Sequence, residues 1–105
     1  MSVRVTNITL DPVLGGVWIY FEGGRLWLDV DDGVKFLGES MDGSVDVREV
    51  ISAALDFVAN KKPEEPVSQE YILYPYVGWT WSDVKEFLRR AVKSLKPAEI
   101  QEVIP

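Results

Sequence analysis

The 105 residues predict an α+β domain: a small antiparallel sheet of four to five strands with two amphipathic helices on one face. Three observations carry that prediction. The early segments alternate apolar and polar residues at period two, two later segments repeat apolar residues at helical spacing, and glycine or proline marks most of the junctions. A chain of this length supports one modest core, and halves would be too small to bury their own. Residues 1–105 therefore read as a single domain, with 97–105 as a weakly patterned tail.

Val3 to Leu10 reads as the first strand. Its alternation breaks between Val5 and Ile8, which predicts a bulge near Thr6 or Asn7. Asp11-Pro12 and Gly15-Gly16 then punctuate a turn. Val17 to Glu22 and Arg25 to Val30 are β-rich runs flanking Gly23-Gly24, a sequence suited to a two-residue hairpin turn. The register expected from that turn sets Glu22 opposite Arg25, Phe21 opposite Leu26, Tyr20 opposite Trp27, Ile19 opposite Leu28 and Trp18 opposite Asp29. One face is then Val17, Ile19, Phe21, Leu26, Leu28 and Val30. The other carries Trp18, Tyr20, Glu22, Arg25, Trp27 and Asp29, and a one-residue slip would mix the two sets. Asp31-Asp32-Gly33 suits a three-residue loop into a strand from Val34 to Gly38, with Lys35 opposite Asp29.

Asp46 followed by Glu49 makes a capping box for a helix whose apolar positions are Val47, Val50, Ile51, Ala54, Phe57 and Val58. Lys61-Lys62-Pro63 ends it, and Pro63 to Pro66 reads as an exposed connection. Glu70 to Tyr76 is apolar on both sides and is expected as a strand interior to the sheet. Thr80 or Ser82 caps the second helix, with a stripe of Val84, Phe87, Leu88, Ala91, Val92 and Leu95. Lys85, Arg89, Lys93 and Lys96 follow one line on its opposite side.

Composition narrows the function. There is no cysteine, so disulfides and thiolate chemistry are excluded, and no histidine, which removes the usual general base and the commonest transition-metal ligand. Few Asn and Gln, together with absent Cys, fit a heat-adapted source. The longest apolar run, Val17 to Phe21, is far short of the ~20 residues of a membrane span, and the first residues lack the layout of a secretory signal. A cytoplasmic protein with no membrane contact is expected. The net charge of −6 resides wholly in residues 1–60, while 61–105 are neutral, and Lys85 to Lys96 holds five basic residues against Glu86. An acidic average thus hides a local basic surface.

No Walker A loop, G-x-G-x-x-G, G-x-S-x-G or H-E-x-x-H occurs, and no nucleophile has a recognisable partner, so no enzyme and no cofactor is expected. Asp29, Asp31 and Asp32, with Glu22 across the hairpin, are the one group of oxygens that a divalent cation could use. They lack EF-hand spacing, and an ordinary solvated Asp-Gly turn with Asp29 paired to Lys35 is the preferred reading, so no metal site is assigned.

The aromatics are the stronger signal. Trp18, Tyr20 and Trp27 lie on the hairpin face away from the aliphatic side, and Trp79 and Trp81 flank a turn directly before the basic helix. Large apolar groups on a second face need a cover. Another part of the chain, a second subunit or unpaired bases would each supply one. Base stacking on an aromatic ring is worth ~1–3 kcal/mol and works with a flanking line of cations. Lys85, Arg89, Arg90 and Lys93 offer such a line, although a basic stripe is also an ordinary solvated helix face.

Aromatic strands, a heat-adapted composition, a strand order unlike the OB-fold and a final basic amphipathic helix resemble the archaeal single-stranded DNA-binding family ThermoDBP and its relatives across about residues 3–96. The resemblance implies non-catalytic binding of single-stranded DNA in an aromatic and basic cleft. It carries over Trp18, Tyr20, Trp27 and the basic helix as residue types. The binding reading takes Trp18, Tyr20, Trp27, Trp79 and Trp81 as stacking candidates and Lys85, Arg89, Arg90 and Lys93 as phosphate contacts. The resemblance also implies assembly through a C-terminal helical extension, but no leucine heptad is found before Pro105. The alternative is a protein-interaction module, most simply a homodimer that pairs the aromatic hairpin face or a strand edge.

Overall fold

The alternating runs fold into a meander, and the helical runs cover its aliphatic side. The computed structural model describes residues 3–29, 36–40, 46–71 and 78–94, with 36–40 and residue 94 described by backbone alone. The elements are β1 (Val5–Asp11), β2 (Gly16–Phe21), β3 (Gly24–Asp29), β4 (Phe36–Ser40), α1 (Val47–Ala59) and α2 (Trp81–Ser94). The four strands are antiparallel neighbours in sequence order. The helices pack on each other, and α1 lies against β1 and β2.

The bulge in β1 falls where the broken alternation predicts it. Pairing with β2 shifts between Val5 and Asn7, so Val5 and then Ile8 and Leu10 all turn to the core despite their mixed parity. The β2–β3 hairpin departs from the expected register by one step along each strand. The loop is Glu22-Gly23, and Gly24 already belongs to β3, paired with Phe21. Tyr20 therefore faces Arg25, Ile19 faces Leu26, and Trp18 faces Trp27.

The shift brings Glu22 onto Arg4, just ahead of β1. Glu22 donates its backbone N–H to Arg4 O at 3.0 Å, and its carboxylate meets the Arg4 guanidinium at 3.5 Å. Only Gly23 then needs a positive φ, +100°. Because the slip spans an even number of residues, both faces keep their membership. In β4, Leu28 pairs with Phe36 and Leu26 with Gly38, the alignment expected from the Asp-Asp-Gly loop. Lys35 and that loop lie outside the described residues.

Both helices begin as their caps dictate. Asp46 accepts from the amides of Arg48 and Glu49 at 3.0 and 3.4 Å. Ahead of α2, Asp83 accepts from Thr80 N at 2.9 Å and from Thr80 Oγ1 at 3.2 Å, which favours Thr80 over Ser82 as the cap. Val47, Val50, Ile51, Ala54 and Val58 from α1 join Val84, Phe87, Leu88 and Ala91 from α2 against Val17, Ile19, Leu26 and Leu28 of the sheet. Val92 packs partly on this core, and Leu95 lies outside the described residues.

The connection after α1 is exposed at residues 63–66, as expected, yet its backbone is tied down. Pro63 O and Glu65 O accept from the amides of Ser82 and Trp81, and Val67 N donates to Trp79 O. Of the strand expected from Glu70 to Tyr76, only Glu70 and Tyr71 lie among the described residues. Gln69 forms a parallel bridge to Leu10 at the outer edge of β1, with Leu10 N to Ser68 O at 2.9 Å and Glu70 N to Leu10 O at 2.8 Å. Tyr71 leaves that edge exposed, in the left-handed region at φ 54°. Residues 72–77 lie outside the described residues.

Candidate functional site

Period-two geometry sends Trp18, Tyr20 and Trp27 away from the helices, as the alternation predicts, but it does not leave Trp18 open. Trp18 is only 7% exposed. Its Nε1 donates to Asp11 Oδ2 at 2.8 Å, the Arg25 guanidinium sits 4.4 Å from its ring centroid, and the Tyr20 ring lies 6.4 Å away. Tyr20 OH donates to Glu70 Oε2 at 2.8 Å, and Thr9 Oγ1 donates to the same oxygen at 2.6 Å. Trp27 is half-buried, and its enclosed Nε1 has no hydrogen-bond acceptor among the described residues.

Apart from Trp27 Nε1, the polar tips of these aromatics are satisfied within the chain. Asp11, Asp29 and Glu70 accompany one guanidinium, Arg25, on the described part of this face, so its charge disfavours a phosphate. The expectation that Trp18 offers a stacking platform is corrected: a ring enclosed by Arg25, Tyr20 and the sheet has no face left for a base. Among the described residues no three carboxylates converge as a metal site would require; Asp31 and Asp32 lie outside them.

Burial, and then the hydrogen bond to the Glu70 carboxylate and its charge, hold the Tyr20 phenol above its ordinary pKa, with Arg25 and Thr9 opposing. A raised folded value binds the proton more tightly than the unfolded chain does. The associated stability is full below about pH 10 and is lost as pH rises through the folded value. Urea denaturation at a series of alkaline pH values is expected to show that decline, and Tyr20→Phe should flatten it. An identical decline in the variant would mean that the phenol titrates as a free one.

The second group of predicted residues gathers on the helical layer. Trp81 is 8% exposed and meets Phe57 edge-on at 6.1 Å, while the half-buried Trp79 meets Phe87 in the same manner at 5.8 Å. Both therefore act first as packing. Trp81 nevertheless lines a cleft of about 200 Å³ between the end of α1 and the start of α2, walled by Val58, Ala59 and Pro63, with Lys61, Ser82 and Lys85 around it. Lys61 folds back so that its Nζ lies 4.8 Å from the Phe57 centroid and 5.5 Å from that of Trp81.

From Lys85 the exposed Arg89 and Lys93 continue along α2 at one-turn steps, with Arg90 beside them. The structure thus joins Trp81, Lys85, Arg89, Arg90 and Lys93, and adds Lys61. It does not bring Trp18, Tyr20 and Trp27 to them, because the helices pack on the opposite side of the sheet. A single cleft combining hairpin aromatics with the basic helix is corrected on that ground. Lys61 was hidden in the sequence because Lys-Lys-Pro reads as a helix stop. Its spacing of four from Phe57 was the available signal. No protein-family model, curated protein or solved structure matches this chain.

Proposed function

We propose that the chain is a non-catalytic binder of single-stranded nucleic acid, DNA by its resemblance to ThermoDBP, and that it binds through the helical layer. The observation that carries this reading is the cleft holding Lys61, Trp81 and Lys85 at the head of the Arg89 and Lys93 line. Cations in a row hold consecutive phosphates, and the exposed Pro63 offers apolar contact to a sugar. Few phosphates are reached and the chain is acidic overall, which disfavours a duplex.

Anisotropy of a labelled oligonucleotide is expected to show binding that weakens with salt. In Lys85→Glu/Arg89→Glu, the slope of log affinity against log salt should fall by roughly 1.4, about 0.7 for each single-strand phosphate that is no longer neutralised. Trp27→Phe, on the far face, should leave binding unchanged. Absence of binding to micromolar protein at low salt would end the proposal.

One observation favours a second reading, self-association or binding of another protein. Val13 and Leu14 are 50% and 46% exposed in the β1–β2 turn, and Tyr71, 55% exposed, follows the bridge that runs alongside β1 toward that turn. A sedimentation mass that stays monomeric across concentrations would remove the self-association form of it.

A further inference from the structure

Resting on the nucleic-acid reading, we infer that the cleft between α1 and α2 is an end-recognition site, which takes the terminal phosphate monoester of a single strand. Its size comes first. At about 200 Å³ it falls below the roughly 300–1,000 Å³ that encloses a complete small ligand, so it suits the end group of something longer.

Its chemistry comes second. Lys61 and Lys85 have no carboxylate partner among the described residues. Lys61 rests instead on the Phe57 and Trp81 rings, which leaves its ammonium protons for an incoming anion. Asp83, in the first turn of α2, is occupied by Thr80. Ser82 adds a hydroxyl-bearing residue to the lining that holds Lys61 and Lys85. The cleft is also held in shape, since Pro63 O and Glu65 O accept the first amides of α2 at 3.0 and 3.1 Å. Side chains, not those amides, therefore have to hold the ligand.

Two ammonium groups discriminate by charge. A phosphate monoester carries about −1.5 to −2 at neutral pH, whereas a diester within a strand carries a single charge. The monoester matches the pair Lys61 and Lys85, and the diesters that follow match the single cations spaced along α2, Arg89 and Lys93, at steps of ~6 Å. The order of charges along the protein is therefore the order along a strand read from its phosphorylated end. A phosphorylated peptide shares the first feature but carries no regular diester charges for the line to meet.

The test uses the full chain and internally labelled decamers in three forms: 5′-phosphorylated, 3′-phosphorylated, and bare at both ends. One phosphorylated form is expected to bind about tenfold more tightly than the bare strand, the gain of a charge-assisted contact. The form that gains identifies the end. In Lys61→Gln that ratio should fall to near one, while Lys93→Gln should weaken all three forms and preserve it. Equal binding of the three forms overturns the end-recognition inference and leaves the nucleic-acid reading standing. Failure of every form to bind overturns both. Tighter binding of a phosphoserine peptide than of any strand overturns both in favour of a phosphoprotein reader.

Discussion

Gly16→Ala is expected to lose about 3 kcal/mol or more of stability, because the added methyl has no place to go. A Cβ built on Gly16 falls 1.9 Å from the backbone oxygen of Leu28, 2.9 Å from its carbonyl carbon and 3.1 Å from Trp27 Nε1. The first two are main-chain atoms of the neighbouring strand, at the pair Gly16 with Asp29, and cannot swing aside as a side chain would. Either β3 is pushed off β2 or the ladder opens at its end. For a domain of this size each kcal/mol moves the melting temperature by about 4–8 °C, so the drop should reach roughly 12 °C. Thermal unfolding followed by circular dichroism reads it directly. A variant melting within about 3 °C of the parent would mean that β2 and β3 do not approach so closely at this pair.

Asp11→Ala is the second large effect, about 3–5 kcal/mol from hydrogen bonds to a charged acceptor and the donors orphaned by its removal. Asp11 is 2% exposed, and its carboxylate is fully employed. Oδ1 accepts from Val13 N at 2.9 Å and Leu14 N at 2.8 Å, closing the β1–β2 turn, while Oδ2 takes the indole proton of Trp18 at 2.8 Å. Truncation leaves three donors without an acceptor, one of them buried. Asp11→Asn keeps one acceptor for the turn but sets an amide N–H₂ against the Trp18 N–H, or the reverse, and should cost less. Urea midpoints measure both, and Trp18 emission should shift to the red in the alanine variant as water replaces the carboxylate. A loss below about 1 kcal/mol would show that the turn is held by something other than this carboxylate.

What was legible in the sequence is what depends on neighbours along the chain. The cap at Asp46, the choice of Thr80 or Ser82 ahead of the second helix, the bulge between Val5 and Asn7, and the division of the hairpin into an aliphatic and an aromatic face each follow from residues a few positions apart. The hairpin register was not among them. Side-chain parity is blind to a slip of two, and the observed register goes with the Glu22 amide reaching Arg4, distant in sequence and just ahead of β1.

The site was read less well, for the same reason. Outward direction is local, but exposure is not. Trp18 is closed by Asp11, Arg25 and Tyr20, and Tyr20 is tied to Glu70, 50 residues away. The alternation that turns the hairpin aromatics outward also sends both helices to the aliphatic side, so the two halves of the predicted cleft were separated from the start by the sheet itself. Lys61 gained its place only when the chain doubled back after α1 to set Pro63 and Glu65 on the first turn of α2.

The bridge between Leu10 and Gln69 also bears on how the molecule behaves in a crowd. Unpaired strand rims invite neighbouring molecules to add ladders of their own, the route to fibrils and swapped assemblies. A foreign strand approaching β1 near Leu10 finds that residue's amide and carbonyl already taken by Ser68 and Glu70 from the same chain. A short stretch of connecting chain thereby acts as a built-in guard against cross-β growth from that side.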